Sequence, residues 1–427
     1  MTRLPERPLK VLWLTGLDPV SRMRHGGNLR WLNLSRELLA RGHQAYFLVN
    51  RHPADALDAH RQYVEELRSQ GVLSGSLELE YRLSPLVSRL AHAMVYPPLT
   101  NLCLRRQQAP VVASIRAFVA EKGIDLVFVS ARPLLFTVPA LRREVPVVVD
   151  WVDSFLLYNR RHLVRSLRTA DVRPLPGILR DLVAHHFQEG YYTKAASAAL
   201  VVSPIDKACI DGVSGVPART HALLNGSDRR GRPGDTQRTP NRLIFTGNMS
   251  FPPNHEAAVW FIDHVLPILV AKNPAVTFVI AGRNPRPELL ARAGGNVVVL
   301  GEVDDLRREI AKSALYVAPL ISGGGFKNKI IEALDTGTYV VGTRMAVEFL
   351  PDPVRERLRT ADEPDALARH ILEFVENPQA FEGEVTHLAR TLTAEFSWAR
   401  RVEELLEIVS GLSPHRGVCR NAIQRVS

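Results

Sequence analysis

"APLISGGGFKNKIIEALDTGTYVVGT" (residues 318–343) carries Gly323, Gly324 and Gly325, then Lys327 and Lys329, then an apolar run with one carboxylate, Glu332. Two readings of it compete. Glycines let the backbone turn sharply and approach a ligand, and N–H groups at the start of a following helix favour an anion. Lys329 lies near that start and Glu332, three residues on, shares its face, giving one cation for a phosphate and one carboxylate for a hydroxyl. The plainer reading is a strand-to-helix turn whose Lys and Glu are surface residues. The pattern is not the GxxxxGK[ST] phosphate loop.

Outward from this stretch, strands and helices alternate. The second half holds "RLIFTGNM", a predicted helix from about 254 to 271, "VTFVIAG", "VVVLGEV", "ALYVAPL" and "TYVVGT". The first half opens with "LKVLWLTGL", then "NLRWLNLSRELLARGH", where Leu29, Leu32, Leu34, Leu38 and Leu39 fall largely on one side and Gly42 stops the helix, then "QAYFLVN". The loop "SRMRHGGN" between them lacks GxGxxG, so a dinucleotide site is disfavoured. "IDLVFVSA", "VPVVVDWVD" and "ALVVSP" are nearly continuous β-branched runs, suited to strands of a parallel sheet covered on both faces. "DALDAHRQYVEELRSQ" has helical spacing, whereas "SPLVSRLAHAMVYPPLTNLCLRR" is apolar and basic by turns, either core helix or a surface for a membrane or an acceptor. "NGSDRRGRPGDTQRTPN" is a linker in composition. "FSWARRVEELLEIV" carries the apolar stripe Val402, Leu405, Leu406 and Val409.

The predicted organisation is therefore an α/β domain over 1–225, a second over 226–395, a helix over 396–411 packing back on the first, and a tail over 412–427. A chain of 427 residues is too long for one core and suits two domains of roughly 200 residues each. Its 54 Lys and Arg against 44 Asp and Glu leave a charge of +10. Such a surface suits nucleic acid, an anionic membrane or a phosphorylated substrate. The arginines are scattered and not interleaved with stacking aromatics, which argues against nucleic acid. Cys103, Cys209 and Cys419 form neither a disulfide framework nor a zinc pattern and are expected as free thiols. The first residues lead into a strand without the apolar length of a signal peptide, and no window approaches a spanning helix. The expected location is cytoplasmic, with peripheral contact on the inner face of the membrane. "AHHF" (184–187) and His255 have no carboxylate companions, so no protein-bound metal is expected, and "VDD" (303–305) is expected to cap a helix.

With "FTGNMSFPPNHEAAVWF", "VIAGRNPRP", "LGEVDDLR", "YVAPLISGGGFKNKIIEAL" and "VVGT" in one order, residues 8–409 resemble the family 4 retaining glycosyltransferases, nearest the exopolysaccharide and exosortase-associated type. That resemblance implies a GT-B fold: two Rossmann-like α/β domains facing a central cleft, the second holding a nucleoside-diphosphate sugar and the first the acceptor. It implies a hexosyl transfer to a glycan, lipid-linked or small-molecule hydroxyl, with no cofactor beyond the donor substrate. The family's E-x7-E pair places its second Glu at Glu332, which contacts the nucleotide ribose. Its first falls on Gly324, so a contact to the donor sugar is missing, and backbone N–H groups of Gly323, Gly324, Gly325 and Phe326 are expected instead. Where many relatives have an Arg and a Lys after the strand that opens the second domain, aligned on Gly247, this chain has Asn248 and Pro253. Lys329, with help from Arg283, is the expected replacement cation. In "VVVDWVDS" the family's His-Asp falls on Val152 and Asp153. Asp153 is a candidate for orienting a sugar or for helix capping, and Asp150 is assigned to the acceptor side or to structure. His25, Gly26 and Gly27 occupy the first strand–helix loop, which lies over donor phosphates and near the acceptor in this fold. Two alternatives remain open: a GT-B nucleotide-sugar epimerase, and a non-catalytic nucleotide-sugar-binding protein.

Overall fold

The computed structural model describes residues 7–17, 26–50, 57–79, 95–168, 170, 172–227, 231–234 and 236–412. His25, residues 84–94 of the apolar–basic stretch, and the tail from 413 with Cys419 lie outside them. The chain forms two compact units: one runs to Leu224 and resumes at Trp398, and the other is Asn225–Ser397.

Unit 1 holds a seven-stranded parallel sheet: β1 (Lys10–Leu17), β2 (Gln44–Asn50), β3 (Gly75–Leu79), β4 (Leu126–Val129), β5 (Val147–Val152), β6 (Ala198–Val201) and β7 (Thr220–Ala222). Their order is β3-β2-β1-β4-β5-β6-β7. Successive side chains point to opposite faces, so Val11 and Trp13 feed one core and Leu12 and Leu14 the other. Both faces are covered, which is why the strands show unbroken apolar runs.

One of these cores includes the helix Gly26–Ala40, which buries Trp31, Leu34 and Leu38. Leu29, expected on the inner face, is exposed instead. Its neighbour Arg30 takes the inward position, donating from Nε to Asp150 at 2.9 Å and from Nη1 to the Leu223 carbonyl at 2.8 Å, with both charged side chains fully buried. A charge carried into the core survives only when paired and hydrogen-bonded. This ion pair ties the helix to β5 and to the chain just past β7. The helix Trp398–Ser410 completes the same core with Val402, Leu405 and Leu406.

Unit 2 holds a six-stranded parallel sheet: β8 (Thr239–Thr246), β9 (Thr277–Ala281), β10 (Val297–Gly301), β11 (Ser313–Ala318), β12 (Val340–Gly342) and β13 (Arg359–Thr360). Its order is β10-β9-β8-β11-β12-β13, the same winding as unit 1. The predicted helix at 254–271 runs from Pro252 to Lys272 but opens into a π turn over Phe261–Val265. Pro267 follows immediately and has no N–H to donate, so the wider turn absorbs the break in the ladder. Ser227 and Ser397, at the two ends of this unit, are bridged in parallel.

Two glycines fix how β8 and β9 end. Gly282 has φ +141°, and a Cβ there would stand 2.0 Å from the Gly247 carbonyl oxygen. Gly247 in turn has φ +156°, and its Cβ would stand 2.6 Å from Asn254 Nδ2. Backbone cannot yield as a side chain can, so Gly282→Ala should destabilise unit 2 by several kcal/mol, on the order of the largest single-residue effects. Asp150→Ala, which strands the Arg30 charge in the core, should cost about 3–5 kcal/mol. Replacing Arg30 and Asp150 together by leucine should recover much of that loss. Urea titration monitored by tryptophan fluorescence checks both.

Candidate functional site

In a doubly wound sheet the crevice opens at the carboxyl ends of the two central strands, where successive connections diverge. In unit 2 those strands are β8 and β11. The loop after β8 is Gly247, Asn248, Met249 and Ser250, and the loop after β11 contains the three glycines. The residues of 318–343 therefore reach the switch point.

The loop after β8 is held by short polar bonds. Asn248 Oδ1 accepts from the Ser250 amide at 3.1 Å and the Ser250 hydroxyl at 2.9 Å, and the Met249 amide donates to the Arg283 carbonyl at 2.8 Å. Pro253 is buried, and a Cβ on Gly323 (φ +106°) would stand 3.3 Å from Pro253 Cβ. Position 253 thus serves to seat the glycine loop against the first helix of the unit. Ser322 Oγ donates to Glu256 on that helix at 2.6 Å, fastening the loop a second time.

Lys329 brings an ammonium group to the end of β8. It stands in the first turn of the helix Asn328–Asp335, which has no side-chain N-cap bond. Its Nζ donates to Asn254 Oδ1 at 2.5 Å and lies 4.5 Å from the centre of the Phe245 ring. The Asn254 amide group is turned the other way, donating to the Asn248 carbonyl at 2.9 Å, so its oxygen is left to the ammonium. A Cβ on Gly247 would stand 3.1 Å from Nζ, which places the charge beside the backbone at the end of β8. Burial pushes the Lys329 amine down to about 7, against the upward pull of Glu332, while Lys327 adds to the depression. Lys327 does different work: it is buried and its ammonium is 3.3 Å from Glu348.

The remaining candidates of this unit divide. Glu332 is half-buried on the face it shares with Lys329. The Phe326 side chain packs on Phe349 at 4.4 Å between ring centres, so only its backbone is available to a ligand. Gly324 has open space: a Cβ there would meet nothing within 4 Å. Arg283 is exposed and makes no ion pair among the described residues. Asn254 was not singled out from the sequence, although it lies within the quoted "SFPPN"; only the fold shows that its oxygen meets Lys329.

In unit 1, Gly26 and Gly27 open the helix that follows β1. Asp150, assigned to the acceptor side, is corrected by the structure: its carboxylate is sealed by Arg30 and the Val152 amide, with no exposed surface for a ligand. Asp153 remains half-buried just past β5. The residue before it, Val152, has φ +61°, a conformation strongly disfavoured for a β-branched side chain. This strained turn directs the chain from β5 into the helix Phe155–Arg168. Capping of that helix falls to neighbours of Asp153: Ser154 Oγ accepts from the Leu157 amide, and buried Glu189 accepts from the Phe155 and Leu156 amides at 2.7 and 3.2 Å.

Arg132, just past β4, was not visible in the sequence. Its guanidinium lies 3.5 Å from the centre of the Phe155 ring and 3.9 Å from Glu189, too far for a hydrogen bond, and its Nη2 has no hydrogen-bond partner. Burial pushes Arg132 down to about 10, while Glu189 and Asp153 pull upward. Burial likewise raises the Glu189 carboxyl, opposed by the Ser154 hydroxyl, Arg132 and the two amides. His255, expected without a carboxylate companion, has Glu288 at 3.1 Å from Nε2. Among the described residues, no three His, Cys, Asp or Glu side chains form a set able to hold a metal ion.

The sequence pattern of the family "Glycosyl transferases group 1" matches residues 240–377, within unit 2. The phosphatidyl-myo-inositol mannosyltransferase of Mycolicibacterium smegmatis is 30% identical over 310 residues, 70% of this chain and 74% of that protein. The crystal structure of Anabaena HepE in complex with UDP has a TM-score of 0.65 at 17% identity, over 95% of this chain and 100% of that one. Sucrose-phosphate synthase from Thermosynechococcus elongatus gives 0.64 at 16% identity, over 94% and 98%. At those identities the structures establish the fold, two Rossmann-like α/β domains of the GT-B kind. The mannosyltransferase aligns over most of both chains, and together with the pattern on unit 2 it decides the family: the chain belongs to the group 1 glycosyltransferases, GT4-related enzymes of GT-B fold that use a nucleotide sugar.

Proposed function

We propose that the enzyme moves a hexosyl group, with retention, from a nucleoside-diphosphate sugar to a hydroxyl of a glycan or lipid-linked acceptor, within the exopolysaccharide and exosortase-associated group. The observation that carries this reading is the Lys329 ammonium, held by Asn254 beside Gly247 at the switch point of unit 2. It lies near Asn248 and Pro253, the positions where the resemblance implies an Arg and a Lys in many relatives. The HepE structure contains UDP, which suits a uridine nucleotide as first donor to test.

As the glycosidic bond of the donor breaks, negative charge grows on the departing diphosphate. Lys329, the uncapped start of its helix and the amides of the glycine loop stabilise that charge in a partly dry site. Arg283, exposed at the end of β9, meets the outer phosphate. Glu332 takes the ribose hydroxyls. At the carboxyl edge of unit 1, Asp153 and the unsatisfied Nη2 of Arg132 orient the acceptor, with His25, Gly26 and Gly27 from the first loop. The acceptor class and the +10 charge favour peripheral contact with an anionic membrane at the cytoplasmic face.

Lys329→Gln should lower kcat about 100- to 1000-fold with the fold intact, since one well-aimed donor to a developing oxyanion is worth about 3–4 kcal/mol. Turnover of radiolabelled UDP-hexoses against lipid and glycan extracts checks this. Unchanged turnover and donor affinity would remove Lys329 from the site. The amine also sets a pH signature. Its pKa in the free enzyme is about 7, and the cation is the form that binds a diphosphate. Binding above that pH takes up a proton, so UDP affinity measured by calorimetry should fall up to about tenfold per unit as pH rises beyond 7. Lys329→Gln should flatten that slope. At Gly324 a Cβ meets open space, and Gly324→Glu restores the glutamate that the family resemblance implies there. It should leave thermal stability within about 0.5 kcal/mol, as ordinary surface substitutions do, and shift preference among donor sugars in competition assays.

A further inference from the structure

Fifteen large apolar side chains stand exposed among the described residues, and ten of them lie between Tyr96 and Phe187. Eight of these ten fall on three helices of unit 1 that pack together, with Tyr96 just before the first of them. The helix Pro97–Cys103 is tied to the helix Leu175–Ala195 by the bond from Tyr192 Oη to Asn101 at 3.1 Å and by the edge-on Tyr96–Phe187 rings, 5.4 Å apart. The helix Phe155–Arg168 joins the same long helix through Asn159 and His185 at 3.1 Å. The exposed residues repeat at helical spacing: Val164 and Leu167 on one helix, Leu179 and Val183 on the next, and Leu99 and Leu102 on the short one. Leu102 and Leu167 are 66% and 61% exposed.

Charge accompanies this apolar surface. From 155 to 187 the sequence has Arg160, Arg161, Arg165, Arg168, Arg173 and Arg180 against Asp171 and Asp181. Between Tyr96 and Glu121 it has Arg105, Arg106 and Arg116 and no acidic residue. Arg105, Arg106 and Arg168 are exposed. Apolar residues flanked by arginines suit the boundary of an anionic bilayer, where apolar side chains enter the acyl region and guanidinium groups stay with the phosphates. A two-fold contact between copies of this chain would instead set the same arginines against one another.

We propose that these three helices form the surface by which unit 1 docks on an anionic lipid bilayer. This deepens the membrane contact proposed above and rests on no part of the donor site. Flotation of the full chain tests it, with vesicles of phosphatidylcholine alone or containing about one third phosphatidylglycerol. Binding should favour the anionic vesicles at least tenfold and weaken with added salt. Leu102→Asp with Leu167→Asp, and separately Arg105→Glu with Arg168→Glu, should each reduce partitioning about tenfold. Leu290→Asp, at an exposed leucine of unit 2, should leave it unchanged. Urea titration by tryptophan fluorescence confirms that each variant is folded, and UDP binding by calorimetry reports on the donor site independently. Failure to float, equal binding to both vesicle types, or partitioning unaffected by either pair would overturn the proposal. So would a concentration-dependent dimer dissociated by Leu102→Asp with Leu167→Asp, which would assign the surface to a second copy.

Discussion

The Gly247 carbonyl lies where a Cβ on Gly282 would have to be. This approach between two backbones at the ends of β8 and β9 is the constraint from which the arrangement at the switch point of unit 2 follows. It allows the chain leaving β8 to cross close over β9 and enter the Pro252 helix with Asn254 turned inward. Asn254 then meets Lys329 from the helix after β11, and the two halves of the switch point are joined by one hydrogen bond. The Ser322–Glu256 bond and the contact of Gly323 with Pro253 hold the glycine loop to the same helix. A larger residue at 247 or 282 would displace this whole set together, because its members share partners.

Lys329 also shows how a site can be kept ready at a cost in stability. Its neighbours offer one amide oxygen, an aromatic face and the more distant Glu332, less than an ammonium receives in water, so its pKa falls to about 7. Lys327, two residues earlier, is buried too, but it lies beside the Glu348 carboxylate and is part of the framework. The contrast separates a lysine paired with a carboxylate from one held by an amide oxygen, although the two look alike in sequence. A phosphate entering beside Lys329 would supply the counter-charge that the protein withholds.

Unit 1 separates its carboxylates in the same way. Asp150 is neutralised internally by Arg30 and holds the first helix onto the sheet. Three residues later, beyond the strained Val152, Asp153 stays half-buried near Arg132. The strain at Val152 is held by what surrounds it: β5 pairs on both sides up to this turn, and Glu189 and Ser154 fix the helix that follows. Backbone strain of this kind persists only where the surroundings over-determine it, and such places cluster at working sites.

How much of this was legible depended on the range of the interaction. The α/β alternation, most strands and the C-terminal stripe could be read because burial on both sheet faces demands unbroken apolar runs and helices demand a 3.6-residue period. The short edge strands β3, β7 and β13 could not, since two to five residues with partial burial carry no period. The direction of Leu29 was misread because Arg30, a charge, took the inward place, and only its pairing with Asp150, 120 residues away, makes that tolerable. The sequence by itself determined the family motifs, the glycines at 247, 282 and 323–325, and the absence of the usual cations at 248 and 253. Tertiary structure alone decided that Asp150 is sealed, that Asn254 holds Lys329, that Arg132 keeps an unsatisfied donor, and that three helices carrying exposed apolar residues pack together. The physical reason is that local pattern fixes backbone and periodicity, whereas desolvation and pairing depend on groups brought together from distant parts of the chain.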